Sequence, residues 1–263
     1  MEQIKNAIDK LQISRNKPTK RIFKEPNTVT EWCGKDNQEN SNYDENGRGR
    51  DPFTNHMSQS ADAPKNVTYR WNSLGLRGPE PDYNADVRIL AAGGSIGLAT
   101  GVKEEDGFVS LIADRLNASY INIGDADSIA DLVDPIIKFK DFNPHYVIIS
   151  DTRFFQNYGW AMIDIYRLKQ VENLPIYKEI FNDSDVTTLK MLDYFLKGLF
   201  PNAKIILAYC ERRAWRTVVP EQFDNIICVP YPKDGVVDLA RDQTHPGPNS
   251  HKILADLIYN SIK

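Results

Sequence analysis

The sequence lacks the features that mark several large classes of protein. It has no apolar stretch near the roughly 20 residues that a membrane helix needs. Its start, Met-Glu-Gln-Ile-Lys, lacks the apolar core of a secretory signal. With 32 basic and 36 acidic residues the net charge is -4, and no long basic run offers a surface to nucleic acid. These absences predict a protein that binds neither a membrane nor nucleic acid.

The sequence also has few cysteines and lacks the common phosphate-binding motifs. The three cysteines, Cys33, Cys210 and Cys228, are odd in number and lack the spacing of a metal site. We therefore expect reduced thiols, no metal, and a reducing compartment such as the cytoplasm. Neither G-x-G-x-x-G nor G-x-x-x-x-G-K-[ST] occurs, so no nucleotide motif is present.

The chain divides by composition into two parts. Only 17 of the first 68 residues are apolar, too few to build a core of their own. One short amphipathic helix is predicted over Glu2 to Ile13. We expect residues 1–68 to be a polar extension that either drapes over the main domain or holds a protein partner. Residues 69–263 are predicted to form that domain.

From Val87 onward, segments typical of strands and of helices alternate. The apolar runs predict five strands: Val87–Ala92, Ser119–Ile123, Tyr146–Ser150, Lys204–Tyr209 and Asn225–Val229. Apolar residues at helical spacing predict helices over Phe108–Leu116, Ile129–Phe139, Thr187–Phe200 and Pro248–Ile262. This alternation predicts an α/β fold, a three-layer α/β/α sandwich around a five-stranded, mostly parallel sheet.

Several polar residues and glycines follow these strands. In such sheets, functional sites form beyond the carboxyl ends of the strands. Ser95 follows the first predicted strand, Gly124 the second and Asp151 the third, and Asp242 and His245 follow the fifth. All five positions are therefore expected at one rim of the sheet.

Two of these motifs together suggest acyl-transfer chemistry. A serine hydroxyl needs a neighbouring base, and histidine suits that role because it titrates near neutral pH. A carboxylate on the second ring nitrogen then holds the histidine in place. Taken separately, Asp242 is typical of a turn and His245 of an exposed loop. Ser95 alone is typical of a glycine-rich turn or of a phosphate-binding turn at a helix N-terminus. Together they predict a Ser95–His245–Asp242 triad.

Three blocks of the sequence resemble the SGNH, or GDSL-type, hydrolases. Trp71-Asn-Ser-Leu-Gly-Leu-Arg-Gly78 is similar to the family's N-S-x-G-x-R-G lead-in. Arg88-Ile-Leu-Ala-Ala-Gly-Gly-Ser95-Ile-Gly97 is similar to the nucleophile block, with Gly-Gly-Ser in place of Gly-Asp-Ser. Asp242-Gln-Thr-His245-Pro-Gly is similar to the family's D-x-x-H-P block. The likeness runs from about Tyr69 to the C-terminus.

The resemblance implies a flavodoxin-like sheet and ester or acyl hydrolysis without a cofactor. Ser95 would attack the carbonyl, His245 would act as base and then acid, and Asp242 would orient His245. The substrate would be a small-molecule or glycan ester, with acetylated carbohydrate as one candidate.

The resemblance is incomplete where the family builds its oxyanion hole. The family uses the N–H of the nucleophile, a glycine after the second strand and an asparagine after the third. Here the candidates are Ser95, Gly124 and Thr152, because the third strand runs into Ser150-Asp-Thr-Arg153 with no asparagine. Losing one such donor typically costs about 3 kcal/mol of transition-state stabilisation.

The roles of an aromatic group after the third strand, of Arg77 and of His251 are less closely defined by the sequence. Phe154, Phe155 and Trp160 would either wall a substrate pocket or pack on the core, within an insertion near residues 152–186. Arg77 is expected to form an ion pair or to reach backbone carbonyls, and His251 to lie on the surface of the last helix.

Three functions therefore stay open: an SGNH-type serine esterase, a catalytically weak or silent SGNH-like module that binds a glycan or a protein, and a nucleotide-binding flavodoxin-like protein.

Overall fold

A computed structural model describes residues 22–33, 66–126, 129–150, 193–210, 226–231, 236–242 and 245–263. Two short strands, β1 (Val29–Thr30) and β2 (Tyr69–Arg70), pair antiparallel. The central sheet contains β3 (Arg88–Gly93), β4 (Ser119–Ile123), β5 (Tyr146–Ser150), β6 (Lys204–Cys210) and β7 (Ile226–Tyr231). The helices are α1 (Phe108–Leu116), α2 (Ile129–Lys138), α3 (193–199) and α4 (Pro248–Ile262), with a 3-10 turn at Lys140–Phe142.

The five strands of the central sheet are parallel, in the order β4-β3-β5-β6-β7. From β3 the chain first crosses to β4 on one side and then returns to β5 on the other. The order therefore reverses at β3, and in open α/β sheets ligands bind beside such a switch point. The turn that carries Ser95 follows β3 directly, so the topology places it there.

Both faces of the sheet are buried, which makes the fold a three-layer sandwich. Successive strand side chains point to opposite faces, so each strand contributes to two cores. One core joins alternate strand residues to α2 and α3, and its members include Leu90, Ile121, Val147, Leu132 and Leu196. The other joins the intervening residues to α1 and α4, and its members include Ile89, Ile148, Phe108, Leu254 and Ile258.

The predicted α/β/α fold is confirmed, and the predicted bounds of the five strands of the central sheet and of α1, α2 and α4 agree within about two residues, as is usual at element ends. The β1–β2 pair is an element that the sequence did not predict. Of the helix predicted over Thr187–Phe200, the structure describes the helical residues 193–199. The helix predicted over Glu2–Ile13 lies outside the described residues. The division at residue 68 stays a prediction.

Candidate active site

The Asp242 carboxylate holds His245 at two points. Its Oδ1 accepts a hydrogen bond from the His245 backbone N–H at 3.1 Å. Its Oδ2 lies 2.5 Å from the ring Nδ1. A carboxylate facing Nδ1 favours the tautomer that carries its proton there, which leaves Nε2 as the basic nitrogen. The Asp242 side chain is 1% exposed and that of His245 is 13% exposed, so the carboxylate is enclosed while the ring reaches solvent.

Backbone contacts between the described residues on either side of this pair hold it in place. Leu239 and Pro246 form an antiparallel bridge. The Ala240 N–H donates to the His245 carbonyl at 2.8 Å. These bonds hold residues 239–240 beside residues 245–246, and the Asp242 and His245 side chains are in contact, as their three-residue spacing predicted. The catalytic role of the pair stays a prediction.

Asp238 fixes the same stretch of chain to the start of α4, a role that the sequence reasoning missed. Its carboxylate accepts the backbone N–H groups of Asn249 at 3.0 Å and Ser250 at 2.9 Å. These donors lack partners within a helix, and a side-chain acceptor there stabilises the helix start. A Cβ on Gly247 would lie 2.6 Å from the Asp238 Cγ, so glycine is needed for this approach. No local signal in the sequence indicated this role, because Asp238 lies ten residues before Pro248, where the helix begins.

Ser95 lies in a turn that packs tightly on the neighbouring strand ends. Residues 95–101 form consecutive turns rather than an α-helix, so the turn lacks the helix N-terminus that a phosphate cradle of the kind considered for Ser95 would need. A Cβ on Gly93 would lie 2.3 Å from the Ser150 Oγ, and one on Gly124 would lie 2.7 Å from the Leu98 Cα. These glycines let the ends of β3, β4 and β5 close around the turn.

Buried side chains hold this turn by its backbone. Arg77 donates to the carbonyls of Leu98 at 2.7 Å, Ala99 at 2.6 Å and Val102 at 2.7 Å. Asn122 donates to the carbonyl of Gly97 at 2.9 Å. The expectation that Arg77 reaches backbone carbonyls is confirmed, and burial lowers its pKa. An arginine of the lead-in block therefore holds the backbone that follows Ser95.

The Ser95 turn and the Asp242 loop meet in space. The Arg241 N–H donates to the Gly101 carbonyl at 3.2 Å. A Cβ on Gly101 would lie 2.8 Å from the Ala240 Cβ and 3.5 Å from the Asp242 Oδ1. Two sequence blocks at opposite ends of the domain are thus joined by direct backbone contact. The Ser95 residue itself is 2% exposed.

The other predicted site residues divide by where they lie. Gly124 lies at the end of β4 against the Ser95 turn, and its role as an oxyanion donor stays a prediction. Thr152, Phe154, Phe155 and Trp160, together with Asp151 and the insertion near 152–186, lie outside the described residues. A small cavity lies behind the turn, and its lining includes Arg77, Gly97 and Asn122 rather than Ser95 or His245.

The expectation for His251 was wrong, because this residue is 1% exposed. Its ring stacks on Phe108 at a centroid distance of 6.0 Å, and its Nδ1 accepts the Phe108 N–H at 3.3 Å. Burial, followed by the nearby charge of Arg77, lowers the pKa of His251 to about 3. The signal was present in the sequence, since His251 is three and seven residues before the core residues Leu254 and Ile258.

The described parts of the chain offer neither a metal site nor a membrane span. They contain no group of three His, Cys, Asp or Glu side chains placed to hold a metal ion. None of their helices has both the length and the apolar character to cross a bilayer.

Comparison with known proteins gives matches in structure. No family model and no curated protein matches the sequence. Among solved structures, a family two carbohydrate esterase from Clostridium thermocellum in complex with cellohexaose is similar, with a TM-score of 0.51 and 18% identity over 72% of this chain. This chain spans 66% of that esterase, just under two thirds of its length.

Two other solved structures are more distant. An acetyl xylan esterase from the rumen bacterium Butyrivibrio proteoclasticus gives a TM-score of 0.44 and 13% identity, covering 70% of this chain and 64% of that one. A protein described as a lipolytic member of the G-D-S-L family, from Desulfitobacterium hafniense, gives a TM-score of 0.45 and 13% identity. The match covers 67% of this chain and 99% of that one. At such identities a likeness concerns the fold. The likeness to the family two carbohydrate esterase therefore concerns the fold, an α/β/α sandwich that is consistent with the SGNH/GDSL-type fold predicted from the sequence blocks.

Proposed function

We propose that this chain is an SGNH-type serine esterase in which Ser95 is the nucleophile, His245 the general base and Asp242 the residue that orients it. The observation that carries the proposal is the Asp242–His245 contact of 2.5 Å on a loop that touches the Ser95 turn. A carboxylate at Nδ1 leaves Nε2 to take a proton from a serine hydroxyl. The fold supports the assignment by analogy.

The reaction would follow from these positions. The Ser95 Oγ attacks the ester carbonyl while His245 Nε2 removes its proton, and the same nitrogen then protonates the departing alcohol. Water, activated by His245, releases the acyl group from Ser95 and restores the hydroxyl. The backbone N–H groups of Ser95 and Gly124 are the candidate donors to the developing oxyanion, with Thr152 as a third.

The substrate we propose is an acetyl ester on a carbohydrate. The support is the fold shared with a carbohydrate esterase whose structure holds cellohexaose. Acetate release from acetylated xylan, compared with hydrolysis of a long-chain p-nitrophenyl ester, separates a sugar esterase from a lipase. Preference for the long chain would reject the carbohydrate substrate while leaving the esterase chemistry in place.

The test of the chemistry is hydrolysis of p-nitrophenyl acetate together with covalent labelling by a fluorophosphonate. Ser95→Ala should abolish both, because it removes the attacking oxygen. Ser261→Ala is the matched control, since that serine lies at the far end of α4 and donates to the Ile258 carbonyl. Activity that survives Ser95→Ala would reject the proposal.

A second candidate is a binding module of the same fold with little or no catalytic activity. It is favoured by the 2% exposure of Ser95, because a nucleophile must reach its substrate. The missing asparagine after β5 points the same way. Binding of a cello-oligosaccharide by a protein that fluorophosphonate fails to label would favour this candidate over the esterase.

A further inference from the structure

Residues 22–33 of the polar extension form a strap that lies across the domain. Within it, β1 pairs with β2 through Val29 opposite Arg70 and Thr30 opposite Tyr69. The Trp71 indole N–H donates to the Thr30 Oγ1 at 3.1 Å. At the other end of the strap, Lys24 forms an ion pair with Asp125 at 3.1 Å. The strap is therefore attached at several points rather than at one.

The strap grips the residue immediately before Asp242. The Arg241 guanidinium lies over the Trp32 ring, with 3.7 Å between its Cζ and the ring centroid. It also donates to the carbonyl of Glu31 and, at 3.4 Å, to that of Val67. Arg241 is 3% exposed. A buried arginine with an aromatic face and carbonyl acceptors from another segment is held in one orientation.

Tyr69 connects this grip to the Ser95 turn. Its hydroxyl accepts the Gly101 N–H at 2.8 Å, and the Arg77 guanidinium lies 4.2 Å from the centre of its ring. The Arg241 guanidinium lies 5.9 Å from the same ring. Trp32, Arg241, Tyr69 and Arg77 thus form a continuous series of aromatic and cationic groups. Trp32, at one end of this series, belongs to the strap, and Arg77, at the other end, donates to the carbonyls after Ser95.

From this connection we propose that the strap is a positioning element of the site, with Trp32 as the residue that sets the Asp242 loop against the Ser95 turn. This inference rests on the proposed function. The two loops meet through the Arg241 N–H and the Gly101 carbonyl, and each of these residues is also tied to the Trp32–Tyr69 series. Loss of the Trp32 face frees Arg241 to move and lets the loop shift relative to the serine.

The test compares Trp32→Ala with Trp32→Phe and with Val29→Ala. Trp32→Phe retains an aromatic face for the cation, and Val29 is a strap residue that is 65% exposed. A misplacement near 1 Å costs about a hundredfold in rate, so Trp32→Ala should lower kcat and the fluorophosphonate labelling rate about 10- to 100-fold. Trp32→Phe should stay within about threefold of the unaltered protein. The KM for p-nitrophenyl acetate should not change.

A second measurement does not depend on catalysis. Amide hydrogen exchange at Gly101 and Arg241 reports the bonds that join the two loops, and Trp32→Ala should speed it about tenfold or more while Val29→Ala does not. If Trp32→Ala fails to fold, Tyr69→Phe removes only the hydroxyl that accepts the Gly101 N–H and should raise exchange and slow labelling in the same direction.

The outcomes separate the two proposals. Slower labelling, lower kcat and faster exchange in folded Trp32→Ala support the strap as a positioning element. Unchanged exchange, faster exchange with unchanged labelling, or a raised KM with unchanged kcat would each overturn it. If the unaltered protein is never labelled, the esterase proposal fails, and the exchange measurement alone decides whether the strap holds the two loops together.

Discussion

Replacing Asp242 by asparagine tests the proposed chemistry with one atom changed. The carboxylate accepts the His245 backbone N–H through Oδ1 and faces the ring Nδ1 through Oδ2. An asparagine there satisfies the backbone N–H only with its carbonyl oxygen, which turns its amide nitrogen toward Nδ1. The opposite orientation would set two N–H donors against each other in a side chain that is 1% exposed, at a cost of about 1–3 kcal/mol.

The favoured orientation inverts the histidine tautomer. An amide donor at Nδ1 requires a lone pair there, so the proton moves to Nε2 and the base that Ser95 needs is lost. We expect kcat to fall about 10⁴-fold, equivalent to about 5 kcal/mol of transition-state stabilisation. The fold should survive, since the size of the side chain and the backbone bond are both retained.

The assay is hydrolysis of p-nitrophenyl acetate, with nitrogen NMR of the His245 ring to report the tautomer. Asp256→Asn is the control, because that carboxylate lies on α4, pairs with Arg115 and is 47% exposed. The control should match the unaltered protein in rate and in thermal unfolding. A variant that carries the Nε2–H tautomer and yet keeps kcat within about tenfold would refute the triad reasoning.

Three further changes have expected outcomes. Arg77→Met should lower the free energy of unfolding by more than about 3 kcal/mol, because three backbone carbonyls lose a buried donor. Asp238→Ala should cost about 1–2 kcal/mol by uncapping α4. His251 has its folded-state pKa depressed to about 3, so the stability it contributes is present above pH 6.5 and is lost as the pH falls toward 3. His251→Gln should therefore flatten the pH dependence of stability in that window by up to about 1.4 kcal/mol per pH unit.

Chemical denaturation checks all three changes, followed at several pH values for the third. Arg70→Met is the control for Arg77, since Arg70 is an exposed arginine of β2. An Arg77→Met variant as stable as that control would contradict the role of the carbonyl contacts. Unchanged stability in Asp238→Ala would reject the cap, and an unchanged slope between pH 6.5 and 4 in His251→Gln would show that His251 does not resist protonation.

The strands and helices were predictable because their buried faces place apolar residues at regular spacing along the sequence. The run Tyr146–Ser150 is apolar up to its last residue, as expected for a strand covered on both faces, and it appears with the predicted bounds. Ser119–Ile123 and Phe108–Leu116 likewise match. His251 shows where the reasoning failed, since its residue type suggested a surface position while its spacing matched the core stripe of α4. In that case periodicity was the better guide to burial.

The site was predictable in part. Asp242 and His245 lie three residues apart, so a local turn was enough to bring them together. Other supports of the site were not predictable, because they join distant segments: Arg241 bonds to the Val67 carbonyl across 174 positions. For Arg77 the sequence predicted an ion pair or contact with backbone carbonyls, but not which carbonyls, and one of them is that of Leu98, 21 positions away. Side-chain donors that hold backbone carbonyls leave no periodic pattern in a sequence.

The sequence by itself determined the α/β alternation and the likeness of three short blocks to SGNH-type hydrolases, and it predicts a common rim for Ser95, Asp242 and His245. Those properties follow from local apolar spacing and short motifs. Only the tertiary structure decided that the Asp242 loop touches the turn after Ser95 and that Trp32 in the strap grips Arg241. The physical reason is that such contacts depend on how separately formed elements pack. Local sequence patterns do not show which residues far apart in the chain will meet.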